Sequence, residues 1–554
     1  MNSEEIIRRY NQLVSNRKTL DDTYQAIEKF VVPFRGEFFR PMSSEHEVEW
    51  RRRQIYDSTA PNAANLLASQ IHGDLTSPSL RWFSLTFRDE NLRDNTEAMT
   101  WLEACEGVVW QALQESDFNT EGAEVYLDLV SFGNATITEE PVSQTEWKGL
   151  NFSAIPVREA YFELDAEGKV LRLYRLMQYT VLQMIDKFGK ENIPDDILNG
   201  SDDVDMKHDI VFCIYQRLDK KDVDTSKVMA PELRPVGYQY VMYNSKEVIG
   251  EEGGYYEMPA FVTPWQRVSG SRHGFSPAMI ALSDILQLNE VVAQTSEARA
   301  KAIDPATLTT ENGLISDLDL NAGGLTIVSS LDEIRTMESS ARFDQADAEI
   351  DRLQKSINRI FFVDKLELKD SPAMTATEVQ VRYERMQRLM GPTLGRIQSN
   401  FLEPLIKRTF MILIRAGQMP EMPEMVVDAD LDIEYIGPLP RAQKSEQAQS
   451  IEMWLNTIAS LGELFPSMLD VPNPDEIAKK LGELRGVPFS LMNDEEEVAK
   501  MREEKQARQQ AQEQMIQMQE GGKAMQEMAA GKAAMGEQDN VTPIAGQGSA
   551  GAAK

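Results

Sequence analysis

Apolar residues recur every three or four positions over long stretches of the chain, which is the spacing of one face of an α-helix. The clearest such stretch runs from Met374 to Gly417. Thr375 and Glu378 stand there at capping-box spacing, so we predict that a helix begins at this point. Gly391 and Pro392 interrupt the pattern, and a proline inside a helix predicts a kink. The apolar face consists of Val379, Tyr383, Met386, Met390, Leu394, Ile397, Phe401 and Leu405.

The same spacing predicts helices in other parts of the chain. Thr59 is the expected N-cap of a helix that contains Pro61 in its first turn. Ser276 and Pro277 are the expected start of a long helix that reaches about Ala302. Its predicted apolar face is Met279, Leu282, Ile285, Leu286 and Val292, and its second half carries the small residues Ala293, Ser296, Ala298, Ala300 and Ala302. Further helices are predicted over 3–31, 95–116, 120–131, 180–188, 344–361, 446–464 and 475–482.

Alternation of apolar and polar residues predicts strands between these helical blocks. The segments that alternate are 82–87, 135–138, 157–163, 170–177, much of 209–267, and 427–435. The pattern therefore predicts an α+β fold that is mainly helical, with a β-rich module inserted between helices.

Length and hydropathy limit the class of protein. The chain has 554 residues, enough for roughly three or four domains. No apolar run approaches the ~18 residues of a membrane span, and the first residues lack the apolar core of a signal peptide. We therefore expect a soluble protein made in the cytosol, with no membrane partner.

Charge is the strongest feature of the composition. The 57 basic and 89 acidic residues give a formal net charge of −32. A surface this acidic does not bind nucleic acid by neutralising phosphates and releasing counterions. Two interpretations stay open: the charge serves solubility, or it lets DNA pass close by without binding.

Few residues have the spacing of a catalytic, cofactor or metal site. The chain has no G-x-x-x-x-G-K-[ST] phosphate loop, no G-x-S-x-G elbow and no H-E-x-x-H motif. The acidic run from Asp428 to Glu434 resembles a calcium loop, but Ile433 stands where such a loop needs glycine, so a strand is favoured. A metal-dependent DNA-processing enzyme would have to use carboxylates such as Asp203 and Asp430. We expect no catalytic, cofactor or metal site.

Four stretches, in the same order along the chain, resemble the portal (head-to-tail connecting) proteins of short-tailed, podovirus-type bacteriophages. They are 55–85 (IYDSTAPNAANLLASQIHGDLTSPSLRWFSL), 274–291 (GFSPAMIALSDILQLNEV), the MTATEV segment from 374 through GPTLGRIQSNFLEPLIKRTFMIL, and 431–443 (LDIEYIGPLPRAQ). With the segments between them they span roughly residues 5 to 505.

The resemblance implies a structural protein and not an enzyme. Such proteins form a homododecameric ring at one capsid vertex, in the virion and, during assembly, in the host cytoplasm. The ring nucleates procapsid assembly with the major capsid and scaffolding proteins and docks the terminase large subunit. Double-stranded DNA passes through its channel in packaging and ejection, and a tail adaptor attaches to it. Another virion component, such as a tail adaptor or an internal head protein, is the alternative.

The resemblance also implies a division of the chain into the regions of a portal subunit. The 361–374 segment corresponds to the channel loop, which makes Lys365 and Lys369 candidates for DNA contact. The other regions are a wing (1–178), a first stem helix with a β-rich clip (179–273), a second stem helix (274–303), a wing return (304–360), a kinked long helix with a wing strand (375–443), a helical crown (444–520) and a flexible C-terminal tail (521–554).

Overall fold

The computed structural model divides into two compact units. The first comprises Met1–Arg93 and Trp101–Gln447, and the second comprises Asp94–Thr100 and Ala448–Lys554. The structure describes residues 1–33, 54–93, 95–143, 146–199, 206–220, 229–267, 270–305, 307–308, 335–336, 342–366, 389–426, 430–436, 438–462, 465–487, 491, 493, 498–512 and 515.

Helices and strands alternate in blocks, as an α+β fold requires. The helices are α1 Ser3–Phe30, α2 Thr59–Leu75, α3 Glu90–Arg93, α4 Thr96–Glu115, α5 Phe118–Phe132, α6 Val181–Phe188, α7 Asp195–Asn199, α8 Pro277–Ile303, α9 Phe343–Ile360, α10 Val363–Leu366, α11 Glu403–Arg415, α12 Pro438–Gly462 and α13 Pro474–Arg485, and residues 389–397 and 498–512 are also helical. The strands are β1 Phe83–Phe87, β2 Asn134–Pro141, β3 Leu150–Ile155, β4 Ala160–Leu164, β5 Val170–Thr180, β6 Lys207–Gln216, β7 Val236–Met242, β8 Val248–Tyr255, β9 Ala260–Pro264, β10 Thr307–Leu308, β11 Arg335–Thr336 and β12 Leu431–Tyr435. None of the described helices is long and apolar enough to cross a membrane.

The largest sheet is an antiparallel meander in the order β4-β5-β6-β7-β8. Its alternating side chains build two cores, because successive residues of a strand point to opposite faces. On one face α1 contributes Ile6, Tyr10 and Leu13 to a cluster with Tyr174 and Val211. The other face packs against residues of β3 and β9. The predicted boundary between residues 178 and 179 falls inside β5, so one sheet contains residues of both the predicted wing and the predicted clip.

A buried arginine fastens α1 to this sheet. Arg17 is 2% exposed and donates hydrogen bonds to the carbonyl oxygens of Val157 (2.6 Å) and Ala160 (2.9 Å). It also donates to the Tyr161 hydroxyl (2.6 Å) and, through Nε, to Asp21 (3.0 Å). A planar guanidinium suits this task, since its donors point in several fixed directions at once.

A second sheet, in the order β3-β2-β9, carries a polar network beneath α11. Thr409 donates to Glu139 Oε1 (2.7 Å), while Arg408 bonds the Glu139 backbone carbonyl (3.3 Å). Arg408 and Arg415 both bind the Glu257 carboxylate, Arg415 in a two-pronged pair at 2.6 and 2.7 Å. Glu139 is fully buried, and burial raises its pKa to about 7 against the lowering effect of Arg408 and the Thr409 hydroxyl.

The structure corrects one expectation about helix starts and confirms another. Thr59 is the first residue of α2 and not its cap. Ser58 occupies the cap position without a side-chain cap hydrogen bond, and Asp57 Oδ1 accepts from the Thr59 amide at 2.8 Å. By contrast, Ser276 caps α8 as predicted, with its hydroxyl accepting from the Met279 amide at 3.0 Å. Aspartate, serine and threonine are all favoured at a helix start, so the run Asp57-Ser58-Thr59 did not by itself show which residue begins α2.

Replacing Arg17 with methionine keeps the apolar stem and removes all the donors. We expect the first unit to lose roughly 3–5 kcal/mol of unfolding free energy, because the buried Asp21 loses its cation. Chemical denaturation followed by circular dichroism measures the loss. The control is Lys18→Met at the neighbouring exposed position, which we expect to change stability by less than about 0.5 kcal/mol. Equal stabilities for the two variants would contradict the role assigned to Arg17.

Glu139 predicts a pH dependence of stability. Its pKa is about 7 in the folded protein against an ordinary 4.5, so the folded state holds the proton more tightly. Its contribution is therefore complete below about pH 4.5 and is lost as the pH rises through 7. Glu139→Gln, which resembles the protonated form, should gain melting temperature relative to the unmodified protein between pH 5 and pH 8. Glu167→Gln, at a 72% exposed side chain, is the control; a pH-independent difference for Glu139→Gln would refute the prediction.

Candidate functional site

The helix α8 is held at its start by the last turn of α5 and the first residue of β2. Ser276 donates its hydroxyl to the Ser131 carbonyl oxygen at 2.7 Å while capping α8. Two residues earlier, the Gly274 amide donates to Asn134 Oδ1 at 3.1 Å. Gly133 has a φ of +78°, and a Cβ there would lie 2.8 Å from the Gly274 carbonyl oxygen. Glycine is therefore required at this crossing of two chain segments.

The buried face of α8 differs from the predicted one. The buried residues are Pro277, Ala278, Ala281, Ile285, Leu288 and Thr295. Of the predicted face only Ile285 is buried, and Leu286 is exposed. The prediction was wrong because it selected the largest side chains, whereas α8 turns small residues toward the body of the subunit, where the neighbouring chain lies close.

Polar contacts align α9 beside α8. Ser356 donates to Asp284 at 2.7 Å, and Gln287 donates to Glu349 at 3.1 Å. Near the far end of α8, Arg299 forms an ion pair with Asp347 at 2.5 Å. These contacts span about four turns of α8, so the two helices pack as one pair.

The segment before α2 is bound to both helices of this pair. Asn289 on α8 accepts from the Tyr56 amide at 2.8 Å and donates to the Gln54 carbonyl oxygen at 3.2 Å. Gln354 on α9 donates to Asp57 Oδ2 at 2.8 Å, while Asp57 Oδ1 accepts from the Thr59 amide at the start of α2. The IYDSTA segment is thus the junction that holds α2, α8 and α9 together. Sequence reasoning had singled out this segment but had given Asn289 and Gln354 no role.

The second half of α8 leaves its small residues accessible. Ser296, Ala300 and Ala302 are exposed, and Ala293 and Ala298 are half-buried. Small side chains let another helix approach closely, because little lies between the two backbones. The exposed side chains of Gln294, Glu297, Arg299 and Lys301 stand among these small residues, so this half of α8 presents both small and polar side chains.

The predicted channel loop, 361–374, is described only at its beginning. Phe361 is fully buried and Val363 is 6% exposed, so the chain leaves α9 with an apolar anchor. Phe362 adopts a φ of +60°, and Val363–Leu366 then form the short helix α10, which packs against α2. The first part of this segment is thus helical, contrary to the prediction. Lys365 lies in α10, while Lys369 lies outside the described residues.

The helix predicted after this segment is described only from residue 389 onward. Thr375 and Glu378 lie outside the described residues, so the capping box stays a prediction. Gly391 and Pro392 lie inside the helical residues 389–397, and a change of axis there likewise stays a prediction.

The departure from α-helical hydrogen bonding occurs farther along, in the π-helical turn Gln398–Leu402. Pro404 explains this turn. A proline has no amide hydrogen and clashes with the carbonyl four residues earlier, and the wider turn relieves both problems. The Gln398 carbonyl oxygen accepts from the Glu403 amide and from the Tyr435 hydroxyl at 3.1 Å. The sequence analysis assigned the interruption of the helix to Gly391 and Pro392 and gave Pro404 no role.

The acidic strand predicted at 427–435 is confirmed over its described part. Leu431–Tyr435 pairs antiparallel with Phe83–Phe87, with Leu85 opposite Ile433. Asp430 faces Arg88 at 3.8 Å, both side chains being exposed, and Glu434 pairs with Lys444 at 2.9 Å. Within the described ranges no group of three or more metal-ligating side chains occurs. Asp203, the other candidate carboxylate, lies outside those ranges.

Comparison with known proteins gives a consistent result. The family described as "Bacteriophage head to tail connecting protein" matches residues 3–492. A "Probable portal protein" of Bordetella phage BPP-1 is 26% identical over 528 residues, covering 93% of each chain. A "Portal protein" of Salmonella phage epsilon15 is 26% identical over 520 residues, covering 91% of each chain.

The family match includes the elements from α1 through the sheets and the α8–α9 pair to α13. It extends over far more than half of the chain, and both relatives align along nearly their whole length. The chain therefore belongs to the bacteriophage head to tail connecting protein family.

Proposed function

We propose that this chain is the portal protein of a short-tailed bacteriophage, a structural and non-enzymatic component of the virion. Twelve copies form a ring at one vertex of the capsid, assembled in the host cytoplasm. The observation that carries the proposal is the family match over residues 3–492, together with two relatives named as portal proteins along nearly their full length.

The geometry of the first unit supports a ring with a central channel. The α8–α9 pair is rigidly tied to α2 and to the three-stranded sheet, while the small residues of α8 stay accessible. Identical subunits that meet through two different surfaces close into a ring when the rotation between them allows it. We assign α8 as the channel-lining stem helix and the accessible small residues as the place where neighbouring stem helices approach.

The remaining roles follow from this placement. The ring nucleates procapsid assembly with the major capsid and scaffolding proteins, docks the terminase large subunit, and later carries the tail adaptor. Double-stranded DNA passes through the channel without sequence specificity. The net charge of −32 of the whole chain supports this, because a protein this acidic does not bind DNA by neutralising phosphates and releasing counterions.

The regional division is part of the proposal. Residues 1–178 form the wing, 304–360 the wing return, 375–443 the kinked long helix with a wing strand, and 444–520 the helical crown. The stem and clip are formed by 179–303, with the clip built on the sheet that β5 joins to the wing. Residues 361–374 form the channel loop, and 521–554 form the tail.

Electron microscopy of the purified protein tests the proposal directly. We expect rings with a central channel and, by mass measurement, twelve copies of the 62.6 kDa chain. Particles that stay monomeric under every assembly condition would overturn the proposal. Magnesium-dependent cleavage of DNA that is lost in Asp430→Asn would instead support the enzyme alternative.

The channel loop gives a second prediction. Replacing Lys365 and Lys369 with glutamate should leave ring assembly unchanged and reduce the amount of DNA packaged or retained per particle, because two attractive charges become repulsive. The matched control is the same reversal at Lys148 and Lys169, whose side chains are 59% and 76% exposed in turns of the first unit. Normal genome content in the loop variant would exclude a DNA role for these lysines.

A further inference from the structure

Two segments of the first unit lack acidic residues, although the chain is rich in them. Aspartate and glutamate together occupy 89 of the 554 positions. Neither occurs from Met258 to Ser283 or from Leu389 to Leu402, where the average frequency predicts several. The lysines and arginines of the two segments are Arg267, Arg272 and Arg396. Both segments are therefore cationic in a chain whose net charge is −32.

The fold brings Arg267 and Arg396 close together. Arg396, in the helical residues 389–397, donates to the carbonyl oxygen of Trp265, which stands two positions before Arg267. Burial, and then the nearby charge of Arg267, lower the pKa of Arg396. Like charges at this separation destabilise each other. An anion bound beside both guanidinium groups would remove that repulsion.

Contacts with the backbone hold each of the two guanidinium groups in place. Trp265 is 5% exposed, and its amide donates to the Gly133 carbonyl oxygen at 2.9 Å, so the acceptor of Arg396 is itself fixed. Arg267 lies against Gly168, where a Cβ would stand 1.8 Å from the Arg267 Nη2 atom. Gly168 also has a φ of +89°, which favours glycine. The missing side chain at this turn gives Arg267 its position.

Within the part of the chain that the structure describes, no carboxylate forms an ion pair with Arg267 or Arg396. The turn beside Arg267 contains Asp165 and Glu167, but both are engaged inside that turn. Asp165 Oδ1 accepts from the amides of Glu167 (2.9 Å) and Lys169 (2.8 Å), and the Glu167 carboxylate pairs with Lys169 at 3.0 Å. Arg267 is exposed and Arg396 is half-buried, so an anion can reach both from solvent.

We propose that Arg267 and Arg396 form a binding site for a phosphate group, with Arg272 as a further cation of the same loop. The loop closes where the Gln266 carbonyl oxygen accepts from the Phe275 amide at 2.9 Å. Guanidinium groups bind phosphate oxygens through paired N–H donors and stay charged at neutral pH. A phosphate dianion balances two guanidinium groups, whereas one carboxylate balances only one. The bound phosphate would join the segment before α8 to the helical residues 389–397.

Titration of the purified full-length protein with inorganic phosphate, against chloride at constant ionic strength, tests the site. We expect a saturable rise in melting temperature and broadening of the phosphate ³¹P resonance. Arg267→Gln and Arg396→Gln should each weaken phosphate affinity by about tenfold or more, because a charged hydrogen-bond partner is lost. The matched control is Arg8→Gln, at an exposed position of α1, which should bind phosphate as the unmodified protein does. Non-specific stabilisation by phosphate is common to all variants.

Two further titrations identify the source of the phosphate. If a short DNA duplex displaces inorganic phosphate, and Arg267→Gln abolishes that displacement, the site accepts nucleic-acid phosphate; if the duplex has no effect, the site takes free phosphate. Equal affinity for a glutamate-rich peptide would overturn the assignment to phosphate. An unchanged phosphate response in both Arg267→Gln and Arg396→Gln would overturn the site itself. Ring formation is measured separately by electron microscopy, so neither result bears on the proposed function.

Discussion

The backbone crossing of Gly133 and Gly274 is the constraint on which the arrangement of the first unit depends. A Cβ on Gly274 would lie 2.3 Å from the Gly133 carbonyl oxygen, and a Cβ on Gly133 would lie 2.8 Å from that of Gly274. Any larger residue would push the start of α8 away from β2. Because Ser276 must cap α8 while donating to Ser131, such a displacement would break the cap and the anchor together.

Hydrogen bonds from polar side chains then fix how the helices of the first unit are oriented. Asn289 and Gln354 tie the segment before α2 to α8 and α9, and Arg408 ties α11 to the sheet that carries Glu139. Each of these groups bonds backbone or a carboxylate from a different element. Apolar packing alone would allow the helices to slide or rotate, whereas hydrogen bonds of fixed direction select one arrangement. A subunit that packs against identical neighbours benefits from having a single arrangement of its helices.

The π-helical turn Gln398–Leu402 also helps to fix the arrangement of the first unit. Pro404 would break a regular α-helix, yet the chain continues through a π-helical turn. In this turn the Gln398 carbonyl oxygen accepts from both the Glu403 amide and the Tyr435 hydroxyl. Tyr435 belongs to the strand that pairs with β1, so the turn is linked to the two-stranded sheet. The irregularity is therefore part of the packing of the first unit.

Local patterns in the sequence determined most elements: the helices over 3–31 and from Ser276 and the strand around Leu431 all follow from periodicity and caps acting over a few positions. The net charge and the lack of catalytic motifs are likewise properties of the sequence alone. Only the tertiary structure decided which face of α8 is buried, that Asp57 joins the start of α2 to Gln354, and that Asn289 contacts Tyr56. Those outcomes depend on contacts between residues far apart in the chain, such as the Gly133–Gly274 crossing, and no local spacing records how closely two distant segments approach.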